Sequence, residues 1–73
     1  MPKYKYMEEV LSFIARNKCV TRHMVKVFIM NTFNLNDRKA EMATQSSINS
    51  LLKKNLIKKI GTGTYCINIE GVQ

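Results

Sequence analysis

Between Thr44 and Ile69 the chain sets an amphipathic helical pattern directly against two extended segments joined by glycines, and no other stretch limits the possible folds as much. Counting 100° per residue from Ile48, Leu51 and Leu52 fall on its side. Ser46, Asn49, Ser50 and Lys53 fall opposite, with Ser47 and Lys54 flanking them. Asn55 stands where a helix ends in a left-handed residue, a position asparagine fills second only to glycine. Leu56-Ile57-Lys58-Lys59-Ile60 then reads as extended and Gly61-Thr62-Gly63 as a turn. Thr64 to Ile69 reads as a return strand in which Tyr65, Ile67 and Ile69 alternate with Cys66 and Asn68. The expected elements are a helix over about 44–55, a hairpin over 56–69 and a fraying tail over 70–73.

Where that helix begins is open. Asp37 can cap a helical turn through Arg38 to Ala43, which is either separate or continuous with the helix, so a start at 37 is the alternative. Periodicity favours a break. Extended backwards, the side of Ile48 collects Glu41, Thr44 and Gln45, a poor core, whereas Thr44 is a good N-cap.

Upstream, Met7, Val10, Leu11 and Ile14 follow the i, i+3, i+4, i+7 spacing of a first helix over about 4–17, flanked by Tyr6 and Phe13. Glu8 and Glu9 fall in its first turns, Arg16 and Lys18 near its end, and Asn17 is expected to stop it in a left-handed conformation. Cys19-Val20-Thr21 is an extended link whose threonine caps a second helix, about 21–33. That helix carries two apolar stripes, Met24, Val27, Phe28 and Val25, Ile29, Met30. A helix so apolar is either central in the core or shared with another chain, so a homodimer through helix 1 or helix 2 is expected. Asn31 to Asp37 is turn-rich, with Phe33 and Leu35 pinning it to the core. The fold class is α+β, mainly α, in one domain spanning 1–73.

At 73 residues the core is thin, burying roughly 60% of the unfolded surface. The 45% apolar content argues against disorder. No run of 18 apolar residues suggests a membrane span, and no apolar stretch or cleavage site follows the basic Met1–Tyr6 segment, so neither an anchor nor a signal peptide is expected. The expected location is the cytoplasm, that of the host cell if the chain is viral. Twelve Lys and Arg against five Asp and Glu give a net charge of +7, which favours polyanions, nucleic acid first. Two cysteines without CxxC spacing and one histidine cannot supply the four ligands of a structural zinc. In a reducing compartment they are expected as free thiols. Catalysis has little support. His23 has no neighbouring carboxylate, Glu8 and Glu9 look like helix charge, and no phosphate loop or nucleophile motif is present. Met24, Met30 and Met42 read as core filler. Neither a cofactor nor a small-molecule ligand is expected.

The order of helix, link, helix, loop, helix and hairpin resembles the winged helix-turn-helix family. The resemblance is carried by Ala43 to Lys59 and by Gly63-Thr64-Tyr65-Cys66-Ile67, and in its compact size it is similar to small regulators of archaeal viruses, phages and plasmids. It implies three helices with a C-terminal hairpin wing, and a third helix entering the major groove of duplex DNA. On that pattern Ser46, Asn49, Ser50 and Lys53 would read bases, with Gln45 and Ser47 at the helix start, where the N-terminus with Ser46 and Ser47 can also hold a phosphate through backbone N–H groups. Lys58, Lys59 and Thr62 of the wing would meet the backbone, and Lys53-Lys54 with Lys58-Lys59 would form one basic stripe. The family also implies that the link after helix 1 pairs with the wing's return strand, which would bring Cys19 and Cys66 together and allow a disulfide in place of free thiols. The Z-DNA-reading branch of the family is a poor match, since Lys53 stands at the place of its tyrosine and the chain has no tryptophan. The implied function is a sequence-specific duplex-DNA-binding transcriptional regulator. The alternative is a protein-interaction winged helix docking on transcription or replication machinery. RNA binding is weaker, because Phe13, Phe28 and Phe33 read as buried and leave no stacking platform.

Overall fold

Helix α1 (Pro2–Asn17) buries Val10 and Ile14 completely, with Met7 and Leu11 half-buried beside them, as their spacing requires. The computed structural model describes residues 2–68, with side chains from Tyr6 onward. Ile69 and the tail over 70–73 lie outside the described residues. Because α1 starts at Pro2, ahead of the expected Tyr4, Glu8 and Glu9 lie beyond its first turn. The helix is ended by Lys18, not Asn17. Lys18 takes the left-handed conformation (φ 73°), and the Asn17 amide turns back to donate to the Phe13 carbonyl at 2.8 Å.

Strand β1 (Cys19–Thr21) leads into α2 (Arg22–Phe33) through the expected cap. Thr21 Oγ1 accepts from the Met24 N–H at 3.1 Å, and the Thr21 N–H donates to Met24 Sδ at 3.4 Å. Asn34, at φ 55°, closes α2. The expected stripes separate in part, since Phe28 of one and Met30 of the other are both half-buried against the core. Val25 and Ile29 are fully buried, whereas Met24 and Val27 are exposed.

Helix α3 runs unbroken from Asp37 to Lys53, so the expected break at Thr44 does not exist and the extended alternative holds. Asn36 is the N-cap, its Oδ1 accepting from the Lys39 N–H at 2.8 Å. Thr44 is mid-helix and completely buried. The inward side is Ala40, Ala43, Thr44, Ser47, Ile48 and Leu51, mostly small residues that let α1 and α2 lie close. A count of large apolar residues undervalues such a side. The Thr44 hydroxyl is buried there without a hydrogen-bond partner among the described residues. At the other end the expected stop is present. Asn55 is left-handed (φ 62°), its N–H donates to the Leu52 carbonyl at 3.0 Å, and the Leu56 N–H donates to the Leu51 carbonyl at 3.0 Å.

Strands β2 (Ile57–Lys59) and β3 (Thr64–Ile67) form the hairpin, but the sheet has three strands, ordered β1-β3-β2 and antiparallel throughout. Gly61 (φ 71°) and Gly63 (φ 74°) supply the turn conformations that side-chain-bearing residues rarely adopt. The register sets Cys19 directly opposite Cys66, and the two are joined by a disulfide, which replaces the expected pair of free thiols. The Asn68 amide donates to the Asn55 carbonyl at 2.9 Å and its N–H to the Leu56 carbonyl at 3.0 Å, tying the end of the hairpin to the exit of α3. The result is a small α+β domain, mainly helical, of three helices and one three-stranded antiparallel sheet, with its core between the helices and the inner face of the sheet.

Candidate functional site

Because α3 is continuous, its outward side is longer than the sequence suggested. Arg38, Lys39, Met42, Gln45, Ser46, Asn49 and Lys53 are all exposed, and at 100° per residue they share one side of the helix. That side carries no carboxylate. The two acids of α3, Asp37 and Glu41, turn instead toward α2. Lys26 Nζ lies 2.7 Å from Asp37 Oδ1 and 3.4 Å from Glu41 Oε1, and Arg22 Nη2 lies 2.6 Å from Glu41 Oε2. The Arg22 bond, then the Lys26 bond, hold the Glu41 carboxyl below its usual range, and Asp37 leads in holding the Lys26 ammonium above its own. Both acids are thus occupied by α2, and the cations of the outward side stand in no ion pair among the described residues.

Of the residues expected to form a site, Gln45, Ser46, Asn49, Lys53, Lys54, Lys58, Lys59 and Thr62 are exposed and Ser50 is half-buried. Gln45 and Asn49 are brought together, Gln45 Nε2 donating to Asn49 Oδ1 at 3.0 Å. Ser47 is a correction. It is 4% exposed and lies in the packing side of α3, where it lines a groove with Leu35, Met42 and Ser46 rather than standing out among the exposed residues. Gln45, Ser46 and Ser47 are also mid-helix, where their N–H groups are spent on the helix itself and hold no phosphate. Arg38, Lys39 and Met42 share this exposed side and were not among the expected residues. On the continuous helix Asn49, Gln45, Met42 and Arg38 fall on one line and Ser46, Met42 and Lys39 on the next, a pattern that a start at Thr44 cuts off. Met42 is 67% exposed and is not core filler; Met24, at 38%, is a weaker case of the same correction.

The hairpin places its two lysines differently. Lys58 pairs with Cys66 and Lys59 with Tyr65, so they project from opposite faces of the sheet. The turn is moored to the helices, since the Gly63 carbonyl accepts the Arg22 N–H at 2.9 Å and the Arg22 side chain holds Glu41.

A second exposed feature lies between α1 and α2. It is a groove of about 470 Å³ lined by Phe13, His23, Met24, Val27, Phe28 and neighbours, with the Phe13 and Phe28 rings stacked at 4.4 Å. Val25 and Ile29 take no part in it, being core. Among the described residues no cluster of three His, Cys, Asp or Glu could hold a metal ion, and no helix is long and apolar enough to cross a membrane.

No protein-family model, no curated protein and no solved structure matches the chain.

Proposed function

We propose that this domain is a winged helix that binds duplex DNA sequence-specifically as a transcriptional regulator, with α3 in the major groove and the β2–β3 hairpin as a wing on the backbone. The observation that carries the reading is the arrangement of charge along α3. Met42, Gln45, Ser46 and Asn49 span about 10 Å of helix at 1.5 Å per residue, within a major groove of about 12 Å. Arg38 and Lys53 lie about 22 Å apart, beyond the groove on either side, where the phosphates run. Uncharged readers between two cationic ends suit a groove between two anionic strands, and a merely solvated side would mix signs. Lys54 and one of Lys58 or Lys59 add to the cations at the C-terminal end.

About five phosphate contacts give a log–log salt slope near −4.5, so raising salt from 50 to 200 mM should weaken binding to a random duplex roughly 500-fold. Fluorescence anisotropy measures this. Binding that ignores salt, or no binding at all, rejects the reading. Placement in a cytoplasm, the host's if the chain is viral, belongs to the same proposal. The Cys19–Cys66 bridge restricts it to a cytoplasm where protein disulfides persist, as in hyperthermophiles.

The proposal includes a homodimer, seated on the groove between α1 and α2. Two chains each carrying +7 repel, and this groove is lined by uncharged residues through which a second copy can approach. Doubling also extends a site that one short helix covers only in part. Sedimentation equilibrium of wild type should show dimers that Val27→Glu dissociates; a wild-type monomer at micromolar concentration removes the dimer and leaves the DNA reading. The alternative, a protein-docking module, draws on the same groove. It is favoured if Met24→Ala and Val27→Ala abolish function while Asn49→Ala and Lys53→Ala do not.

A further inference from the structure

One residue on the outward side of α3 is out of keeping with its neighbours. Met42 is the most exposed of the large hydrophobic residues described, at 67%. An apolar side chain left mostly in water contributes little to folding, and this one, at the rim of a groove lined by Tyr6 and Leu35, sits between Arg38, one turn before it, and Gln45, one turn after it. The amides beyond it act as a unit. With Gln45 Nε2 donating to Asn49 Oδ1 at 3.0 Å, Gln45 Oε1 and the Asn49 Nδ2 hydrogens remain as one acceptor and one donor set. Adenine presents the matching pair in the major groove, N6–H₂ and N7, and its partner thymine presents a C5 methyl group. Guanine presents two acceptors and is best met by arginine or lysine, which lie at the two ends of this side rather than at its centre.

We propose that α3 selects A·T pairs, Met42 packing on a thymine methyl group while the Gln45–Asn49 amides bond adenine. The inference rests on the duplex-binding reading above and names the bases that reading would prefer. Selection from a random duplex library gives the preferred sequence. Anisotropy then compares that duplex with a copy in which uracil replaces thymine, for wild type and for Met42→Ala. Uracil lacks only the methyl group. Alanine at an exposed helical position keeps the fold, which circular dichroism checks.

The expected results are A·T pairs at the centre of the selected site and uracil DNA bound about fourfold more weakly by wild type, the worth of one buried methyl group. Met42→Ala should bind both duplexes equally. A G·C centre, a wild-type ratio of one, or the same ratio in both proteins overturns the inference and leaves duplex binding standing. Absence of any duplex binding at low salt removes both.

Discussion

The two sides of α3 do opposite work with residues of similar size. Inward, Ala40, Ala43, Thr44 and Ser47 are buried with Ile48 and Leu51, and their small side chains let α1 and α2 lie against the backbone. Outward, Gln45, Ser46 and Asn49 are also modest in size but lie in water between cations. Serine occurs on both sides, buried at Ser47 and exposed at Ser46. Hydropathy therefore does not separate the sides; position around a continuous helix does. One side can be damaged only through stability, the other only through what it touches.

The largest effect should come from breaking the inward side. Leu51 is fully buried, and Leu51→Ala should cost about 2–5 kcal/mol, read as a lower urea midpoint with an unchanged slope. In a domain this small that is a large share of the total. Asn49→Ala, two residues earlier and exposed, should leave that midpoint nearly unmoved and weaken the preferred duplex by about 1–3 kcal/mol, with little change on random DNA. If Asn49→Ala instead destabilises the fold as much as Leu51→Ala, the division between the sides is wrong.

Much of this was legible in the sequence, for reasons that differ by residue. The α1 stripe, the Thr21 cap, the Asn55 stop and the glycine turn follow from local chemistry, and each is where the sequence puts it. The start of α3 was not legible, because a core built from Ala40, Ala43, Thr44 and Ser47 gives no hydrophobic signal until the two partner helices are known. A start at Thr44 leaves Arg38, Lys39 and Met42 off the helix, and a buried side centred on Ile48 alone leaves Ser47 at its flank. The third strand and the cysteine bridge depend on pairing Cys19 with Cys66 across 47 residues, and only the resemblance to a fold suggested that pairing. On α2, spacing found both stripes, but which one is buried depends on where α1 and α3 lie.

The smallest effect, and the sharpest test of the boundary between the sides, belongs to Glu41. Its carboxyl sits at the edge of α3, drawn to Arg22 and Lys26 and away from the outward cations. Those partners hold its folded-state pKa below the ordinary 4.5, so the stabilisation is fully present above that value and is lost as pH falls through the lower, folded value. Glu41→Gln should therefore be slightly less stable than wild type at pH 7, and the gap between the two urea midpoints should close as pH is lowered below 4.5. The same change should act in the opposite direction on duplex binding. It removes one negative charge beside the outward side and frees Arg22, whose backbone N–H already anchors the hairpin turn. Affinity for random duplex should rise, and the salt slope should steepen by up to about one contact. A variant that loses a little stability and gains DNA affinity is what an acid held back from a polyanion surface requires. If both quantities fall together, Glu41 is only a structural ion pair and the outward side has no special relation to phosphate.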